Sequence, residues 1–213
     1  MMAAMLTIAH RAGNSLATLR AALATGVDLI EADVHSYRRR LEIRHRKWLG
    51  PTMLWDTGEV VRRRAVEVPI LAAVLAAAGP AHAGRLMLDL KGLHPGLAPA
   101  VAAGLRTAVP DAPTVICTRH WWMLRAFAGD PHVRIVFSAG SRRELGLLLP
   151  RLRSARAFGV SVRRDLLTPP AVEALRACVE HVMTWPVDTA ADLAYARRLG
   201  VTGVIGRNLE VLL

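Results

Sequence analysis

Short apolar runs alternate with longer helical periodicities along the whole chain. The runs at 6–9, 28–30, 86–88, 114–116, 134–137, 157–160, 181–183 and 202–205 have the length and composition of buried strands. Between them, apolar residues recur at helical spacing over 16–24, 71–78, 97–107, 122–127, 144–152, 171–178 and 190–199. Eight strands alternating with helices predict a parallel sheet with right-handed crossovers. An open doubly wound sheet would satisfy the same alternation. The number of strands, and the gathering of polar residues at the ends of the first three, favour an α/β fold of the (β/α)8 TIM barrel type. No Gly-x-Gly-x-x-Gly follows the first strand, which counts against a dinucleotide-binding sheet. One stretch, 41–68, breaks the rhythm. Leu41-Glu42-Ile43-Arg44-His45 alternates like a short extra strand, and the Pro- and Gly-bearing segment 50–58 follows it. This stretch reads as an extended loop after strand two.

The chain has 213 residues, which suits one barrel domain spanning 1–213 at the short end of the size range. Hydrophobic residues make up 53% and aromatics only 5%, so the core volume must come from Ala, Val and Leu. No apolar run reaches the roughly 18 to 20 residues that span a bilayer. The opening stretch to Gly13 lacks the basic segment and long apolar run of an export signal. Cys117 and Cys178 are too few for a metal cluster or a disulfide framework, so a reducing cytoplasm is the expected compartment. The net charge is +11, yet the 28 basic residues include only two lysines, Lys47 and Lys91. That bias reflects arginine-rich composition as much as a polyanionic partner. Arg38-Arg39-Arg40 and Arg62-Arg63-Arg64 are the densest patches. They read as solvated surface, and an anionic membrane is the peripheral partner they would suit. The arginines are scattered and no winged-helix, OB or zinc pattern appears, so nucleic acid is the least favoured partner. The sequence leaves the oligomeric state open.

Chemistry concentrates near the N-terminus. Glu31 and Asp33 lie two apart at the end of strand two, so both carboxylates point to one face. Two such acids inside a barrel need a counter-charge, and oxygen ligands suit one hard divalent ion, Mg2+ or Ca2+. An exposed acid pair held by neighbouring arginines is the plainer alternative. His10-Arg11 ends strand one; an imidazole can move a proton near neutral pH and a guanidinium can clamp phosphate oxygens. His45 follows the alternating stretch, and Asp89 and Lys91 share a face at the end of strand three. Lys91 persists where arginine has replaced lysine almost everywhere else. This inventory suits phosphodiester cleavage: cations offset the phosphate charge, and two histidines serve the attacking and leaving oxygens.

In order and spacing, His10-Arg11, Glu31-Ala32-Asp33, His45 and Asp89-Leu90-Lys91 resemble the glycerophosphodiester phosphodiesterase family. Its helix entry is echoed by Val68-Pro69-Ile70-Leu71, its seventh strand end by Met183-Thr184-Trp185-Pro186-Val187-Asp188, and its eighth strand by Gly200-Val201-Thr202-Gly203-Val204-Ile205. The resemblance covers almost the whole chain. It implies a TIM barrel that hydrolyses glycerophosphodiesters, small phosphodiester substrates, to glycerol 3-phosphate and an alcohol. Glu31, Asp33 and Asp89 would hold one divalent metal, Mg2+ or Ca2+. His10 and His45 would be the acid/base pair, Arg11 and Lys91 would contact phosphate, and Trp185 would line the substrate mouth.

The chain also departs from that pattern. The first-loop Pro-Glu-Asn-Thr is reduced to Gly13-Asn14-Ser15, the acid after the second histidine is Arg46, and an acid after strand eight is Arg207. The third metal carboxylate is the shorter Asp89, and the segment after strand eight is short. The short first loop and Asp-x-Lys resemble the sphingomyelinase D-like phospholipases. Two other readings therefore stand beside the first: a phospholipase D-like enzyme with Trp48, Trp55, Trp121 and Trp122 as an apolar rim, and a catalytically weakened phosphodiester-binding relative.

Overall fold

The structure is a computed structural model and describes residues 5–213. The expectation about an export signal falls partly on residues 1–4, outside the described residues. Eight parallel strands close into a barrel: β1 (Leu6–Ala9), β2 (Leu29–Tyr37), β7 (Leu86–Leu90), β8 (Thr114–Thr118), β9 (Val133–Ala139), β10 (Gly159–Arg163), β11 (His181–Trp185) and β12 (Gly203–Gly206). Pairing of β1 with both β12 and β2 completes the ring. The remaining four strands, β3 (Arg40–Ile43), β4 (Lys47–Leu49), β5 (Met53–Asp56) and β6 (Glu59–Arg62), lie between β2 and β7. The outer helices are α1 (Leu16–Leu23), α2 (Leu71–His82), α3 (Leu97–Ala108), α4 (Arg142–Leu152), α5 (Pro169–Arg176) and α6 (Ala190–Leu199), with the short α7 (Leu209–Leu212) after β12.

The strand alternation sorts the core into two layers. Ile30, Ala32 and Val34 of β2 and Leu86, Leu88 and Leu90 of β7 face outward and pack under the helices. Ile8, Leu29, Met87, Val115, Val136, Met183 and Ile205 fill the lumen. Strands buried on both faces need apolar residues at consecutive positions, which is why they appear in the sequence as continuous runs. Local signals fix several helix ends. Ser15 accepts the Thr18 amide at the start of α1, and Thr189 and Asp192 form a capping box on α6. Gly200 closes α6 in the left-handed conformation, at φ 77°.

Two expectations are corrected. The segment 122–127 is not an α-helix but part of a run of 3-10 turns, Trp121–Phe127. Trp121 is held there by its indole N–H donating to the Ser138 carbonyl at 2.9 Å and by edge contact with Phe137. The stretch after β2 is not an irregular loop. Strand β3 pairs antiparallel with the outer half of β2, and β4, β5 and β6 form a separate three-stranded antiparallel sheet. Its inner side is anchored by Glu42, only 1% exposed, which accepts hydrogen bonds from Arg44 at 3.0 Å and Arg63 at 2.5 Å. Trp48 of β4 stacks on Tyr37 of β2 with ring centroids 3.7 Å apart. The β2–β3 turn places Arg38 and Arg39 at φ 45° and 63°, the conformation of a two-residue hairpin turn usually filled by Asn-Gly.

Candidate active site

Strand register builds the acidic cluster. Asp33 of β2 lies opposite Asp89 of β7, and Glu31 lies one lumen level below them, opposite Met87. One carboxylate oxygen from each of Glu31, Asp33 and Asp89 falls within 4.8 Å of the others. All three face the lumen at its C-terminal end, where a barrel fold carries its chemistry. Around the rest of the lumen, from β8 beside Asp89 to β10, the inward residues are small, Cys117, Ser138 and Ser161, and they leave a cavity of about 570 Å3. Its wall includes His10, Arg11, His45, Lys91 and Trp185, so the residues singled out in the sequence converge on one cavity. Trp48 also lines it, whereas Trp55, Trp121 and Trp122 do not, so the proposed rim of four tryptophans is reduced to one.

The first loop reaches the cluster through an unusual backbone. Arg11 adopts a left-handed conformation, φ 58°, rare for a side chain with a Cβ, and so points its amide N–H at Glu31 Oε2, 2.6 Å away. Gly13 lies so close to β2 that a Cβ there would meet the Ala32 Cβ at 2.6 Å. This approach lets Asn14 clasp Asp33 from both sides: its amide donates to Oδ2 at 2.7 Å, and its oxygen accepts the Asp33 backbone N–H at 2.8 Å. Asn14 was not singled out in the sequence, because the spacing between loop and strand gives no hint of the contact.

The electrostatics follow from burial. Burial and the neighbouring Asp33 raise Glu31 well above the ordinary carboxylate range. Asp89 is also raised, by burial and by Asp33 against the pull of Lys91. Asp33 is lowered to about 2: burial opposes its charge, but Lys91, the Asn14 hydrogen bond and His45 outweigh it. Lys91 pairs with Asp89 and lies 3.0 Å from Asp33 Oδ1. Burial disfavours its ammonium, yet the three acids hold its pKa well above the usual lysine range. Asp89 Oδ1 is buried without a hydrogen-bond partner among the described residues. Three converging carboxylates, two of them destabilised as anions, fit a hard divalent cation, which takes oxygen ligands and removes their mutual repulsion.

The histidines differ in their support. His10 is lowered to about 4 by burial and by Arg11, with Arg207 adding to the effect, so it is neutral at neutral pH. His45 carries its own carboxylate: its Nδ1 lies 2.8 Å from Asp56 Oδ2, at the end of β5. Its Nε2 lies 2.5 Å from Arg11 Nη2. A guanidinium has only donors, so Nε2 accepts, and the proton of neutral His45 sits on Nδ1 and points at Asp56. Although Arg46 directly follows His45, the carboxylate beside His45 comes from Asp56, eleven residues after it in sequence. Sequence reasoning also passed over His35, on the same face of β2 as Glu31 and Asp33. It lines the cavity with Nε2 buried and unpartnered among the described residues, and burial and Arg44 lower it to about 3.

No family model and no curated protein matches the chain. Solved structures do. A provisionally named glycerophosphoryl diester phosphodiesterase of Silicibacter pomeroyi superposes with a TM-score of 0.80 at 19% identity, over 98% of this chain and 92% of that one. An Oleispira antarctica phosphodiesterase, solved with the product sn-glycerol-3-phosphate, gives 0.75 at 18% identity, over 96% and 94%. A glycerophosphodiester phosphodiesterase of Thermotoga maritima gives 0.75 at 16% identity, over 99% and 98%. At such identities the likeness establishes the TIM barrel fold over nearly the full length of both partners.

Proposed function

We propose that this chain belongs to the glycerophosphodiester phosphodiesterase family and hydrolyses glycerophosphodiesters to glycerol 3-phosphate and an alcohol, with one bound Mg2+ or Ca2+. The observation that carries the reading is the convergence of Glu31, Asp33, Asp89, Lys91 and two histidines in one cavity at the C-terminal mouth of the barrel. The structural neighbours named for this activity support it. Glu31, Asp33 and Asp89 would hold the ion, which when bound supplies positive charge to offset the negative charge building on the phosphoryl oxygens.

The chain's own groups do the rest. Arg11 and Lys91 present cationic donors on two sides of the acidic cluster, where a phosphate would be clamped. Arg11 also donates to His45 Nε2, so a phosphate held by Arg11 would lie beside the unprotonated ring nitrogen of His45, which takes up a proton once Arg11 turns to the phosphate. Asp56 fixes that choice by keeping the other ring proton on Nδ1. One of the pair His10 and His45 takes the proton of the attacking oxygen, water or the neighbouring glycerol hydroxyl, and the other delivers a proton to the departing alkoxide; a cyclic phosphate formed by the second route is then opened by water. Trp185, at the end of β11, forms part of the cavity wall and would line the substrate mouth. The brace from Asp56 argues against a weakened relative, because it gives His45 a carboxylate partner although Arg46 stands next to it, and Asn14 keeps Asp33 in place.

The test is turnover of glycerophosphocholine, glycerophosphoethanolamine and lysophosphatidylcholine with Mg2+, Ca2+ or EDTA, reading glycerol 3-phosphate and free head group. Metal-dependent release of glycerol 3-phosphate, lost in His10→Ala, is expected. Head-group release from the lysolipid alone would move the protein to the phospholipase D-like reading. No turnover by folded, metal-loaded protein would refute both.

A further inference from the structure

The β4–β5–β6 sheet has an outer face of which only Lys47 reaches the cavity wall. Its inner face carries Trp48, Leu54 and Asp56 toward Tyr37, the core and His45. Its outer face is built in two cross-strand rows, Lys47–Trp55–Val60 and Leu49–Met53–Arg62. Leu49 is 51% exposed, Trp55 39% and Val60 48%, so the centre of this face is apolar and open. A small soluble domain gains nothing in stability by presenting these side chains together.

The charge around this face is one-sided. Within strands β3 to β6 the acids are all engaged: Glu42 by Arg44 and Arg63, Asp56 by His45, Glu59 by Arg46. The one other acid of the stretch, exposed Glu67, lies beyond β6 toward α2 and accepts the Leu16 amide at 3.5 Å. Arg38, Arg39, Arg40, Lys47, Arg62 and Arg64 are exposed and have no acidic partner among the described ion pairs. The β2–β3 turn is tied to the sheet by the Tyr37–Trp48 stack, with the Arg38 guanidinium 5.3 Å from the Tyr37 ring. An apolar face with Lys47 and Arg62 in its own rows, an indole among them and further unpaired arginines in the adjoining turns matches the boundary of an anionic bilayer: the apolar groups enter below the headgroups and the cations meet the phosphates. Neither a self-complementary protein interface nor duplex nucleic acid explains both halves, because six like charges repel across a two-fold axis and nucleic acid has no use for Leu49 and Val60.

We propose that the outer face of the β4–β5–β6 sheet docks this protein on anionic lipid. Lys47 and Trp48 also line the cavity wall, so docking here would bring the active-site mouth against the membrane surface. The inference does not depend on the phosphodiesterase reading, since binding is measured without turnover.

The experiment is flotation of the full chain with vesicles of phosphatidylcholine and of equimolar phosphatidylcholine and phosphatidylglycerol, across a salt series. Binding to the anionic vesicles alone, weakening with salt, is expected. Each of Arg62→Gln and Arg64→Gln should weaken it about fivefold. Trp55→Glu should abolish it. Arg38→Gln with Arg39→Gln gives a second, fully surface variant should Trp55→Glu fail to fold. Equal binding to both vesicle types, no binding to either, or a concentration-dependent dimer that Trp55→Glu disperses in place of vesicle binding would each overturn the proposal.

Discussion

Replacing Asp56 by Asn removes one charge and keeps the shape of the side chain. Its partner His45 is the residue whose ring orientation the structure explains most fully, with Asp56 on Nδ1 at 2.8 Å and Arg11 on Nε2 at 2.5 Å. A hydrogen bond to a charged group contributes about 1.5–3 kcal/mol. His45 and Asp56 are 30% and 27% exposed, and solvent screening places this pair at the lower end of that range. A loss of about 1.5–2 kcal/mol in transition-state stabilisation is about a 10- to 30-fold fall in kcat/KM. The pH profile moves as well. Burial lowers His45, and the Asp56 carboxylate works against that by raising it. Without the carboxylate the His45 pKa falls further, so the limb of the kcat/KM profile that His45 governs shifts to lower pH, whichever proton transfer it performs. The assay is kcat/KM for glycerophosphoethanolamine across pH, alongside a thermal melt. Since the pair is partly solvated, the melt should move by no more than about 3 °C. A kcat/KM within about twofold of the parent, with the pH limb unmoved, would refute the reasoning.

Two further predictions concern stability. Glu42→Gln leaves Arg44, itself only 5% exposed, without its buried counter-charge, and should cost about 3–5 kcal/mol in urea unfolding; a loss below about 1 kcal/mol would show that the Glu42–Arg44–Arg63 cluster does not anchor the insertion. His35 is held at about 3, below its unfolded value of 6.5, so between these values the unfolded chain takes up a proton that the folded one refuses, and the folded state loses stability as pH falls. Relative to the parent in EDTA, His35→Gln should therefore gain about 2 kcal/mol on going from pH 7 to pH 5, and a constant difference between the two proteins would contradict the burial assigned to His35.

The sequence by itself determined the barrel. Strands buried on both faces must be continuous apolar runs, and helices packed on one side must be amphipathic, so β1 to β12 of the ring and α1 to α6 leave local signatures. It also determined that Glu31 and Asp33 share a face, because side chains two apart on a strand always do. Tertiary structure decided what depends on residues distant in the chain. Asp33 meets Asp89 because β2 and β7 pair in one register, which no local pattern encodes. The run 122–127 has helical spacing, yet the Trp121 contacts with Ser138 and Phe137 hold it in 3-10 turns. The loop expected over 41–68 is a sheet, whose strands of three and four residues are too short to show a period. That sheet carries Asp56 to His45 across a hairpin. Asn14 reaches Asp33 only because Gly13 lets the loop lie against β2. A side chain's electrostatic neighbours are set by how the chain closes on itself, and spacing along the sequence carries that information only within one strand or one turn of helix.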